Sequence, residues 1–182
     1  MWGYLSDQPA GRCCATAKVV EPHSWGSGSY FGGKALYRLS NLVLIAEALG
    51  EDDAAETARQ SLTDALRQWG DSARCEATDN RCFVYDPTIK GMVGLSPSFG
   101  SEDFNDHHFH HGYLLHAAAV AAQGDADLLG EIAPVFDQVA ADIASGPAET
   151  AGAFPPIRTF DPVDGHSWAS GYAPFADGNN QE

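Results

Sequence analysis

Positive charge is scarce in this chain: 10 Lys and Arg stand against 25 Asp and Glu, a formal net charge of −15 over 182 residues. Such a balance repels phosphate backbones and anionic lipid, which excludes nucleic acid and membrane surfaces as partners. Neutral ligands such as sugars, and cations, stay open. Long apolar runs are also missing. The longest, positions 41–46, stops at Glu47 and falls short of the roughly 18 to 20 residues that cross a bilayer. The first residues, Met1 to Asp7, carry neither a basic stretch nor an apolar core, so they do not read as a secretory signal. Cysteine is limited to four positions. Cys13 and Cys14 are adjacent and do not easily bridge each other, whereas Cys75 and Cys82 flank a short polar loop and can. The two other thiols leave the redox compartment open. What is present is apolar material, 44 % hydrophobic and 10 % aromatic residues. That suffices for a core in one domain, or a piece of one, and excludes global disorder.

Positions 1–33 are rich in Gly, Ser and Pro without periodicity and read as irregular chain. From Lys34 a helical pattern begins. Leu36, Leu39, Leu42, Val43, Ala46 and Leu49 recur at three- and four-residue steps, and Gly50 supplies a stop. A second helix follows with Asp52 or Asp53 as N-cap, an apolar face from Ala55 to Trp69, and Gly70 at its end. Residues 71–106 form a long connection carrying one short hairpin, Cys82–Tyr85 against Gly91–Gly94, with Asp86-Pro87 at the turn. A connection of that length in a compact domain points either to function or to disorder. A third, all-round apolar helix runs from Tyr113 to Ala122 and reads as buried. A fourth, Leu128 to Ile143, is expected to break near Pro134. Residues 147–182 return to loop composition. The expectation is an all-α fold with at most one short β-hairpin. Two stacked helical hairpins leave open edges, so the unit looks like part of an (α/α) toroid.

The segment from Asp103 to Tyr113 packs two Asp, four His and three aromatic residues into one stretch. A metal site is one reading, since Asp106 and His110 stand four apart, as do His107 and His111. The spacing matches no zinc signature: the glutamate of HExxH is absent and no cysteine pair lies nearby. No metal or other cofactor is expected. A second reading makes the histidines packing residues at a helix start, and at least two are expected to be so. The third is a carbohydrate site. A carboxyl among imidazoles and aromatic rings has its pKa raised by desolvation, or lowered if the imidazoles are charged. Raised, it serves as general acid toward a glycosidic oxygen. Elsewhere, Gly28 to Lys34 matches part of a phosphate-loop motif, but Ala35 replaces the metal-binding hydroxyl and no apolar strand precedes it. A tight helix start beside aromatics explains those glycines better.

Three stretches carry a resemblance: Phe104-Asn-Asp-His-His-Phe-His110 with Gly112-Tyr113; Phe154-Pro-Pro-Ile-Arg-Thr-Phe-Asp161 followed by Gly165-His-Ser-Trp-Ala-Ser-Gly171; and Ala176-Asp-Gly-Asn-Asn-Gln-Glu182. Together with Ser29 to Lys34 they resemble glycoside hydrolase family 81, the endo-β-1,3-glucanases of laminarinase type. The resemblance implies an inverting hydrolase on an (α/α)6 barrel, acting on a β-1,3-glucan such as laminarin, curdlan or fungal wall glucan. It implies Asp106 as catalytic acid and Glu182 as base. Asp161, His166 and Trp168 match positions lining the substrate cleft, and His110 and Tyr113 lie in the acid-bearing motif. Trp168, with Trp25 and Tyr30, offers rings for stacking on sugars.

Inversion needs one protonated carboxyl and one ionised carboxylate about 6.5–9.5 Å apart. The unlike surroundings of Asp106 and Glu182 suit that division. Two departures stand out: His111 replaces the tyrosine usual after H-H-F-H, and Pro162-Val-Asp164 precedes Gly165. The expected organisation is an irregular segment over 1–28 and a partial barrel over 29–182, truncated at the base and so inactive alone. An extracellular location is expected from the resemblance only. A non-catalytic glucan-binding remnant and a metal-dependent hydrolase are the alternatives.

Overall fold

The computed structural model describes residues 26–76, 81–145, 152–156 and 158–171. The irregular reading of the first 25 residues, Cys13, Cys14, Trp25 and Glu182 lie outside these described residues. Four helices dominate: α1 (Ser29–Leu49), α2 (Asp52–Gly70), α3 (His107–Ala121) and α4 (Ala126–Ala144). Strands β1 (Phe83–Asp86) and β2 (Gly91–Gly94) form one antiparallel hairpin, β3 (Phe160–Asp161) and β4 (His166–Ser167) another. The fold is mostly helical, as expected. Among the described residues no helix is long and apolar enough to cross a membrane.

The helices form two antiparallel hairpins laid side by side, α1 against α3 and α2 against α4. One continuous core joins them, with Leu36, Leu39 and Val43 of α1, Leu62, Leu66 and Trp69 of α2, Leu114 and Ala117 of α3, and Leu128, Ile132 and Val139 of α4. The first hairpin closes at Gly50, whose left-handed backbone (φ 70°) returns its N–H to the carbonyls of Ala46 and Glu47. The second closes at Asp125, whose carboxylate accepts the Leu128 N–H at 2.9 Å. A disulfide joins Cys75 to Cys82 beside β1.

Several expectations need correction. Helix α1 starts at Ser29, five residues before Lys34. Aromatics and glycines are weak helix formers, but burial overrides them. Gly33 lies against α3, where an added Cβ would stand 3.3 Å from Tyr113 Cβ and 3.4 Å from Leu114 Cγ, so its missing side chain lets the two helices approach. The stretch that matched a phosphate loop is therefore the first turn of a helix. Asp52 and Asp53 do not cap α2: Glu51 holds the N-cap position without a side-chain bond, and the two aspartates lie in the first turn. There they favour the positive end of the helix dipole. Helix α4 continues through Pro134. The proline is exposed, with Ile132, Val135, Phe136 and Val139 buried around it, so the lost hydrogen bond falls on the solvent side while burial holds the rest.

The limit of one hairpin also fails, because β3 and β4 form a second. Its turn is built by Asp161, whose Oδ1 accepts the N–H groups of Val163 at 2.8 Å and Asp164 at 3.2 Å. Strands of two residues carry no alternation to read.

Candidate active site

Asp106 stands immediately before α3, at the end of a tight turn. Phe104 (φ 65°) and Asp106 (φ 50°) both take left-handed backbone that side chains rarely adopt. The turn closes through Asn105 N–H to Gly100 O at 3.1 Å, and Asp106 donates its own N–H to Ala169 O at 2.8 Å. Its carbonyl accepts the first helical bond, from His110 N–H, at 2.9 Å. An aspartate here ordinarily caps the helix with its carboxylate. Asp106 makes no such bond, so its carboxyl is left for another partner. Burial pushes that carboxyl above the ordinary carboxylate range. The helix N-terminus favours the ionised form, but without a capping bond desolvation prevails.

The neighbouring imidazoles are neutral at pH 7. Burial holds His107 and His111 well below the usual imidazole range and lowers His108, and it brings His110 down to about 4. The alternative left open by the sequence, a carboxyl lowered by charged histidines, is thereby decided in favour of desolvation. A stability consequence follows. The folded-state values lie below the unfolded value near 6.5, so the unfolded chain binds more protons once the pH falls below it. The slope vanishes above that value. It ends for His110 near 4, after a loss on the order of 3 kcal/mol from this group alone. Urea denaturation at pH 7.5 and 5 is expected to show a fall of several kcal/mol. An unchanged midpoint would mean the histidines are solvated.

Two groups of side chains are tied to the start of α3. In one, Tyr30 of α1 meets His110 and Tyr113 of α3, with ring centroids 5.3 and 6.4 Å away. Phe109 and Phe99 join them. Ser29 Oγ and His110 Nδ1 share a hydrogen bond of 3.0 Å, while His110 Nε2 has no hydrogen-bond partner among the described residues. A pocket of about 320 Å³ opens beside this cluster, lined by Tyr37, His108, Phe109, Gly112 and Tyr113.

The other group is the second hairpin, where Asp161 pairs with His166 and the His166 and Trp168 rings meet edge to face at 4.7 Å. Ser167 Oγ hydrogen-bonds His108 Nδ1, and the following Ala169 holds the Asp106 N–H. The hairpin is thus tied to the start of α3. One Asp161 oxygen is engaged in its own turn, and those bonds hold the carboxyl below the ordinary range.

Beneath α3 lies a buried network that the sequence reading missed. His107 Nε2 donates to Asp142 Oδ2 of α4, and His111 Nδ1 stands 3.4 Å from the same oxygen. Arg158 donates to Asp142 Oδ1 and, from Nε, to the Asp142 carbonyl at 3.1 Å. Burial pushes the Asp142 carboxyl up, against the pull of His111 and Arg158. The available signals were an acidic residue at a core-facing position of α4 and the sole Lys or Arg after position 90. His107, His111 and Asp142 place their ligand atoms within 4.8 Å of one another. Arg158 already supplies positive charge at this carboxylate, which opposes a cation, and the arrangement reads better as a hydrogen-bonded network.

A family model described as "Glycosyl hydrolase family 81 C-terminal domain" matches residues 15–182. Among curated proteins, a "Glucan endo-1,3-beta-D-glucosidase" of Thermobifida fusca is 38 % identical over 171 residues, covering 92 % of this chain and 22 % of the relative. One of the same name from Acetivibrio thermocellus is 40 % identical over 157 residues, covering 85 % of this chain and 20 % of its own length. A "Primary septum glucan endo-1,3-beta-D-glucosidase" of Schizosaccharomyces pombe is 34 % identical over 163 residues, covering 84 % and 16 %. The chain thus spans about a fifth of the length of the curated relatives it matches.

Proposed function

Because the chain belongs to glycosyl hydrolase family 81, through that family's C-terminal domain, we propose that it carries the proton donor of an endo-acting, inverting β-1,3-glucanase. Asp106 is the donor. The observation that carries this reading is an aspartate at a helix N-terminus that does not cap the helix and whose carboxyl burial biases toward the protonated form. It delivers its proton to the leaving oxygen as the glycosidic bond breaks. A carboxylate across the substrate, which we assign to Glu182 from the motif alone, takes a proton from the attacking water. Water adds across the bond, and the new reducing end carries the opposite anomeric configuration.

Tyr30, Tyr113 and Trp168 offer flat faces to sugar C–H surfaces. Asp161 keeps one carboxylate oxygen for a directional contact to a hydroxyl, while His110 and His166, whose Nε2 atoms are buried, back the neighbouring rings of Tyr30 and Trp168. A glucan such as laminarin, curdlan or fungal wall glucan is uncharged, so the acidic chain sets up no repulsion against it. The helices fit two consecutive units of an (α/α)6 barrel, with α1 and α3 inside and α2 and α4 outside. The apolar residues Ile45, Leu49 and Leu129, exposed in this structure, suit contact with neighbouring units. An extracellular location accords with the Cys75–Cys82 disulfide.

Laminarin incubated with the full gene product is expected to yield oligosaccharides whose reducing ends appear first as the α-anomer in proton NMR. First appearance of the β-anomer would contradict inversion. Binding of laminarin without cleavage would make the protein a glucan-binding module.

A further inference from the structure

Arg158 is the only Lys or Arg after position 90, yet its side chain is 4 % exposed. A neutral glucan gives no reason to bury a cation here. Its contacts supply one. Nη2 donates to Asp142 Oδ1 of α4 and to Lys90 O, in the turn between β1 and β2, at 2.7 Å. Nε donates to the Asp142 carbonyl. The guanidinium also lies over the Phe104 ring, 4.3 Å from its centroid. The Phe104 ring meets the His107 ring at 4.3 Å, and His107 returns to Asp142. Three separate segments therefore converge on one side chain next to the turn that presents Asp106.

That turn needs holding. Phe104 and Asp106 are both left-handed, a conformation that persists where the surroundings over-determine it. There is no slack beneath the ring: a Cβ on Gly91 would collide with both Phe104 and Arg158 Nη2. We infer that Arg158 is a positioning residue for the proton donor: by holding Phe104 it fixes the left-handed turn that keeps the Asp106 carboxyl off the end of α3. This rests on the acid role proposed for Asp106. If the turn relaxes, Asp106 adopts ordinary cap geometry, accepts N–H groups of α3 and gives up its proton at lower pH.

The test compares Arg158→Lys and Phe104→Leu with the unaltered full gene product on laminarin. Lysine keeps a charge beside Asp142 but has neither the planar fork nor the stacking surface. Leucine leaves the Arg158–Asp142 pair intact and removes the ring. Both are expected to lower kcat about tenfold or more with KM within about twofold, and to move the basic limb of the kcat/KM profile down by about one pH unit. A merely structural role would not move that limb. Wild-type kcat and an unmoved limb in either folded variant would overturn the inference, as would a rise in KM alone. If Arg158→Lys does not fold, Phe104→Leu decides. Asp106→Asn run alongside separates the two claims: full activity there removes the acid assignment itself, whereas its inactivity beside unaffected Arg158 and Phe104 variants removes only the positioning role.

Discussion

Asp106→Asn is expected to lower kcat on β-1,3-glucan by about 10²- to 10⁴-fold, the range a positioned general acid contributes, with little change in KM. Asparagine is close to isosteric and tolerates left-handed backbone at least as well as aspartate, so the turn and its bond to Ala169 O should survive. The lost property is the proton. An unchanged melting temperature together with the lost rate separates chemistry from folding. Hydrolysis within about tenfold of the parent would remove Asp106 from the acid role.

The largest expected effect on stability is at Asp142. Its side chain is fully buried, and it receives Arg158, His107 and the approach of His111. Asp142→Ala leaves a buried guanidinium without a counter-charge and His107 without its acceptor, and breaking such a pair costs about 3–5 kcal/mol. In a chain of this size that is a drop in Tm of about 6–20 °C. Asp142→Asn, which keeps an acceptor oxygen for part of the network, is expected to lose less. A loss below about 1 kcal/mol in the alanine variant would show that water reaches Arg158. That pair joins α4 to the segment before β3, and its loss should also loosen the turn at Asp106.

The helices were legible wherever an apolar stripe recurs at helical spacing, as from Leu36 to Val43 and from Ala55 to Trp69, because those residues are the core itself. The hairpin at Asp86 was legible from its turn chemistry, and the Asp86 carboxylate does accept the Thr88 N–H at 2.7 Å. What tertiary contact decides was not legible locally. The start of α1 depends on Gly33 fitting against α3, and the continuity of α4 through Pro134 depends on burial of its other face. The second hairpin has strands too short for any pattern.

At the site, the dense histidine segment was a true signal of an unusual environment, but its residues divide in a way spacing does not show. His107 and His111 turn to Asp142, whereas His110 turns to Ser29 and Tyr30. Asp142 is 31 residues from His111 and Arg158 a further 16 on, and only the packed hairpins bring them together.

If Asp106 donates a proton to a departing sugar oxygen, the rate lost on its removal depends on the basicity of the leaving group. A donor matters when the leaving group is a basic alkoxide and hardly at all when it is a dinitrophenolate. The rate of Asp106→Asn should be compared on a plain laminari-oligosaccharide and on one ending in a dinitrophenyl group. Proton donation predicts a loss of about 10²- to 10⁴-fold on the first and less than about tenfold on the second. Equal losses on both substrates would contradict it.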